Sequence, residues 1–149
     1  MKVIGTFRRD PQGEFLPESA DAQNYEGQLS RALKIGRLLQ DTQRDADILK
    51  QSGNGRSAGG AVLVSDTTCA GSDDIRKATS LSYDSRSGEI HSYSARIVSP
   101  GEKIQLQYSA RPLMLELNSS NQSGNAGRIS RRLRFQEVGD NLFELSEGV

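Results

Sequence analysis

A chain of 149 residues carrying nineteen basic and nineteen acidic side chains has the length of one domain and no net charge. Only 34% of it is apolar, tryptophan is absent and aromatics are limited to four Phe and four Tyr, so a core must come mainly from Leu, Ile and Val. No run approaches the ~20 apolar residues of a membrane-spanning helix, and the single cysteine, Cys69, excludes an internal disulfide framework.

In chain order, Lys2 to Arg8 reads as a short strand, with Val3, Gly5 and Phe7 on one face and Ile4 on the other. The segment turns polar at Arg8, too soon for the apolar region of a signal peptide, so the cytoplasm is the expected location. Asp10-Pro11-Gln12-Gly13 is a turn signal, because Pro presets φ and Gly accepts positive φ. Residues 10–26 then carry Asp10, Glu14, Glu18, Asp21 and Glu26 without a base.

A helix is expected over 24–51, where Leu29, Ala32, Leu33, Ile35, Leu38, Leu39, Ala46, Ile48 and Leu49 form a broad apolar stripe. Ser52-Gly53 ends it, and residues 53–60 form a loop into the strand Ala61-Val62-Leu63-Val64. Beyond residue 76 the apolar period changes to two. Thr79, Leu81 and Tyr83 alternate with Ser80 and Ser82, and Gly88 closes a hairpin loop. Tyr93, Ala95 and Ile97 then alternate with Ser92, Ser94 and Arg96; Ile104, Leu106 and Tyr108 alternate with Gln105, Gln107 and Ser109. Leu113, Leu115 and Leu117 follow, the polar stretch 118–127 is expected to be a mobile loop, and 132–145 forms a last hairpin. The basic block Arg128, Arg131, Arg132 and Arg134 precedes a purely acidic stretch at 137–147.

The expected fold is therefore a single α+β domain: an N-terminal strand, one long amphipathic helix, and a mostly antiparallel sheet of six to eight strands. Mobile loops are expected near 10–23, 53–60 and 118–127.

Catalytic chemistry is hard to place on these residues. His91 is the only histidine, which removes two-histidine metal sites, and its parity with Tyr93 and Ala95 points it toward the core. A Cys69–His91 nucleophile–base pair is the one enzymatic candidate. Asp66, Asp73 and Asp74 lack the spacing of a calcium loop. The glycine-rich segment 53–60 follows a helix instead of opening one, the wrong end for cradling phosphate. Glu116 and Glu144 alternate outward and read as solvated. No cofactor and no metal is implied.

What remains is an outward sheet face bearing Ser80, Ser82, Ser92, Ser94, Arg96, Gln105, Gln107 and Ser109, with Arg132, Arg134 and Gln136 beside it. The expectation is a non-enzymatic binding or assembly module acting through its sheet and helix surfaces, with a protein partner or a second copy of itself. The alternative is a single-stranded nucleic-acid or RNA binder using Arg96, Arg128, Arg131, Arg132 and Arg134, with Ser92, Ser94, Gln105 and Gln107 as further contacts. A Cys69-dependent enzyme ranks third.

Overall fold

Strict alternation of apolar and polar residues favours an extended backbone with one buried face, and from residue 61 onward the chain is almost wholly strand. A computed structural model describes residues 2–23, 31–52, 54–71, 74–122 and 128–148. The strands are β1 (Lys2–Arg9), β2 (Phe15–Pro17), β3 (Arg56–Ala58), β4 (Ala61–Ala70), β5 (Ile75–Asp84), β6 (Ile90–Ser99), β7 (Glu102–Ala110), β8 (Leu113–Gln122), β9 (Arg128–Gly139) and β10 (Leu142–Gly148). All ten join one antiparallel sheet in the order β2-β1-β10-β9-β8-β7-β6-β5-β4-β3. Every neighbouring pair except β1 and β10 is also consecutive in sequence. The helix, Arg31–Lys50, is the connection that carries the chain from the β2 edge to the β3 edge.

The core is built around one transverse row. Val64, Leu81, Tyr93, Tyr108, Leu115, Phe135 and Leu145 stand opposite one another from β4 to β10, and all are buried. At its end Gly5 pairs with Leu145, and Ala22 presses so close that a Cβ on Gly5 would lie 2.6 Å from the Ala22 backbone nitrogen. Glycine is required there for space. Ser19 fixes this contact: its hydroxyl accepts from Thr6 N and from Ala22 N, both at 3.1 Å, capping a helical turn over 20–23.

The expected α+β architecture is overturned. The sheet has ten strands, not six to eight, and the long amphipathic helix gives way to a helix that is a minor element packed near β2, β4, β5 and β6. Along the described side chains of that helix the buried stripe is narrow: Leu39, Thr42, Ala46 and Leu49. Ile48, assigned to the stripe, is 62% exposed. Thr42 returns its hydroxyl to the Leu38 carbonyl at 2.7 Å, a local bond that a broad apolar stripe would not need. Residues 24–30 and Gly53, also part of the expected helix and its end, lie outside the described residues.

Four further expectations are corrected. Segment 53–60 contains β3, and β8 continues through the expected loop to Gln122, while residues 123–127 lie outside the described residues. Segment 10–23 is a hairpin closed by Asp10, whose carboxylate accepts from Glu14 N at 2.8 Å, and then β2. Val3 does not share a face with Gly5: a bulge at Ile4 sets Val3 opposite Ser146 and leaves it 49% exposed.

Replacing Phe135, which is 2% exposed, by Ala is expected to lower stability by about 3–5 kcal/mol. Ile48→Ala is expected to change it by less than about 0.5 kcal/mol. Urea unfolding followed by far-UV circular dichroism measures both, and a comparable loss at Ile48 would restore the broad stripe.

Candidate binding face of the sheet

The face away from the helix is set by the same register that builds the core. One transverse row runs Ser65, Ser80, Ser94, Gln107, Glu116, Arg134 and Ser146. The rows on either side are Thr67, Ala78, Arg96, Gln105, Asn118 and Arg132, and Ser82, Ser92, Ser109, Met114, Gln136 and Glu144. Small hydroxyl side chains on β4 to β6 thus give way to amides and charges on β7 to β9. Where Ser80, Ser92, Ser94, Gln107, Ser109 and Met114 meet, the surface dips into a shallow depression of about 320 Å³. Its polar groups can donate and accept hydrogen bonds along an extended partner.

Glu116 was expected to be solvated, and it is not: its side chain is only 8% exposed. Arg132 Nε donates to Oε1 at 2.7 Å and Arg134 Nε to Oε2 at 3.2 Å, with Asn118 adding a longer bond of 3.4 Å. The two arginines are neighbours on alternate positions of β9 and close over the carboxylate from both sides. They remain 44% and 31% exposed. Burial alone would raise the Glu116 pKa, but the bonds from Arg132 and Asn118 and the charges of Arg132 and Arg134 outweigh it, and the net shift is downward.

The expected arginine cluster is divided by strand alternation. Arg132 and Arg134 lie on the outward face, whereas Arg131 pairs with Ser119 in the row of Ile97 and Ile104 on the helix side. Arg96 is exposed in the row of Arg132, three strands away, roughly 14 Å at ordinary strand spacing. Arg128 pairs with Gln122 at the start of β9. Ser92, Ser94, Gln105 and Gln107 all stand on the outward face, as alternation requires.

Cys69 and His91 do not meet. Cys69 is an exposed residue of β4 and pairs with Arg76, which in turn faces Val98 at the far end of β6 from His91. His91 is exposed because a bulge leaves it as the extra residue between Ser92, opposite Ser82, and Ile90, opposite Tyr83. Parity counted back from Tyr93 therefore fails one residue before the strand ends. Nearby, Asp84 accepts from the backbone N–H groups of Ser87 and Arg86 and from the Ser87 hydroxyl, which holds its pKa below the usual carboxylate value. On the helix side Tyr93 has a raised pKa, from burial and then from the charge of Asp45.

Among the described residues no group of three or more His, Cys, Asp or Glu side chains is placed to hold a metal ion. Asp73, one of the acids weighed for that role, lies outside them. No helix of the described chain is long and apolar enough to cross a membrane. Compared with protein-family models, curated proteins and solved structures, the chain matches none, so a functional reading rests on its own residues.

Because the folded-state pKa of Glu116 is depressed, the carboxylate stabilises the fold above its unfolded pKa near 4.5, and that contribution disappears as pH falls through the folded value. Glu116→Gln is expected to cost about 1–3 kcal/mol at neutral pH and to flatten the loss of stability on acidification below that range. Urea midpoints from pH 7 to pH 3 for both proteins test this; parallel curves would remove Glu116 from the acid response.

Proposed function

We propose that this protein is a non-enzymatic assembly module that associates with copies of itself through the surfaces of its sheet. The observation that carries the reading is the outward face, which no described element covers. Its serine, threonine and glutamine side chains are short of both charge and aliphatic bulk, and its buried carboxylate is already compensated by Arg132 and Arg134. Such a face offers hydrogen bonds along strands but nothing that activates a nucleophile or polarises a bond. Separation of Cys69 from His91 further weakens the enzymatic alternative.

The nucleic-acid reading loses ground for electrostatic reasons. Binding of that kind draws its affinity from concentrated positive charge on the phosphates, and here Arg131 lies on the other face while Arg132 and Arg134 share a carboxylate. Tyr93 and Tyr108 are buried in the core row and give no stacking platform.

Size-exclusion chromatography with light scattering, monitored at 260 and 280 nm on protein purified without nuclease, tests the proposal. A defined oligomer with a protein-like spectrum is expected. A 260 nm excess that dissociates in salt would transfer the reading to nucleic acid, and a monomer at every concentration would refute it.

A further inference from the structure

We infer that the self-association proceeds through the free edge of β4, by antiparallel pairing of Val64–Ala70 with the same segment of a second copy about a two-fold axis at Thr67. The inference deepens the assembly reading and rests on it.

The two ends of the sheet are finished differently. At the β1 end, β2 pairs with Phe7, Arg8 and Arg9, and Thr6 O accepts from Glu18 N and Ser19 N. Ala22 covers Gly5, and the bulge at Ile4 interrupts the remaining stretch behind Lys2. Coverings, bulges and lysines of this kind are how proteins keep an edge from pairing. At the opposite end β3 covers only Ala61, Val62 and Leu63. There the chain turns onto the helix-side face: a Cβ on Gly55 would lie 2.5 Å from the Val62 side chain and 3.4 Å from that of Val64. Among the described residues nothing pairs with the outer side of Val64–Ala70, although its inner side pairs with β5 without a bulge through Ala70. Alternate residues of an edge strand aim their N–H and C=O groups away from the sheet. Ser65, Asp66, Thr67, Thr68 and Cys69 are all exposed, with no lysine, proline or bulge among them.

The segment is suited to its own copy. Its midpoint is Thr67, so a two-fold axis there uses the whole free edge: Thr67 faces Thr67, Asp66 faces Thr68, Ser65 faces Cys69 and Val64 faces Ala70 of the second copy. Opposed threonines form a favourable cross-strand pair, and each Asp66 gains a hydroxyl donor. The competing registers are worse. A one-residue slip turns the second copy over and joins its helix-bearing face to the outward face. An axis at Asp66 opposes two carboxylates, and an axis at Thr68 leaves Val64 and Ser65 unpaired. A two-fold arrangement also consumes the open edge in both copies, so assembly closes at a dimer. The two outward faces then become one continuous polar surface.

The test combines light scattering with cross-linking of the full chain. Thr67→Lys places like charges opposite each other on the axis and is expected to weaken dimerisation at least about tenfold, with an unchanged circular dichroism spectrum and, at concentrations low enough that both proteins are monomeric, an unchanged urea midpoint. In a Cys69→Ser background, Thr67→Cys is expected to cross-link to its own copy with a short thiol-reactive linker, whereas Ser94→Cys, out on the face, is not. A dimer that survives Thr67→Lys, or that cross-links as well through Ser94→Cys, would overturn the edge assignment while leaving self-association in place. A monomer at every concentration would overturn both.

Discussion

Phe135 stacks on Phe143 with ring centroids 5.2 Å apart, and Phe15 meets both rings edge-on at 4.9 Å while Phe7 approaches Phe135 at 6.1 Å. These four rings belong to β9, β10, β2 and β1. Hydrogen bonds alone would leave the N-terminal hairpin attached at one edge of the sheet; the rings give it an apolar anchor in the body of the core. Aromatic pairs of this geometry contribute about 0.5–1.5 kcal/mol each beyond the area they bury. Arg9 lies over the outer face of Phe15, its guanidinium carbon 5.3 Å from the ring centre, and the helix passes the same ring at Gly36. The helix is therefore referenced to the sheet at Phe15 near one end. Lys50 does the same near the other, donating to the Gly88 carbonyl at 2.7 Å above the Tyr83 ring.

Once the helix occupies one face, strand alternation leaves the other to solvent or to a partner. That face has to hold its charges without help from a second layer, and Glu116 shows how. The carboxylate is held by two arginines of the next strand, which supply its hydrogen bonds while it is buried. The two arginines outnumber the one carboxylate, so the middle of the face keeps a small positive excess. A partner approaching it meets hydroxyl and amide groups over β4 to β7, exposed guanidinium groups at Arg96 and Arg132, and a half-buried one at Arg134.

The parts of the fold legible in the sequence are those where alternation is uninterrupted. Leu81, Tyr93, Tyr108 and Leu115 fall on the core side as their spacing requires, and Ser80, Ser94 and Gln107 fall opposite. The failures have physical causes. Each bulge resets parity, so Val3 lands on the side opposite the one counted from Gly5, and His91 becomes an exposed extra residue without a cross-strand partner. Strands of three residues, such as β2 and β3, are too short to carry a period. Thr67 to Cys69 carry no apolar period, because an edge strand exposed on both faces has no buried positions to alternate. Helical periodicity overstated the helix, since a regular recurrence of apolar residues does not say how many of them become buried; Ile48 stays 62% exposed. For Glu116, alternation gave the right face but no indication that residues on the neighbouring strand, sixteen and eighteen positions later, would close over it.

The ladder between β1 and β10 differs from every other in the sheet. All the rest join strands that follow one another in the chain, whereas this one joins elements more than a hundred residues apart. Local hairpins can form as soon as their second strand exists, but β1 must wait until β10 has been synthesised. Until then Phe7 and Phe15 have neither Phe135 nor Phe143 to pack against, and remain exposed on a nascent chain throughout the elongation of the meander. Such a delay makes the early hairpin a target for chaperones and for premature association with other chains. Around those two rings, residues 8–18 carry five charged side chains, Arg8, Arg9, Asp10, Glu14 and Glu18, the kind of flanking charge that opposes association of exposed apolar groups.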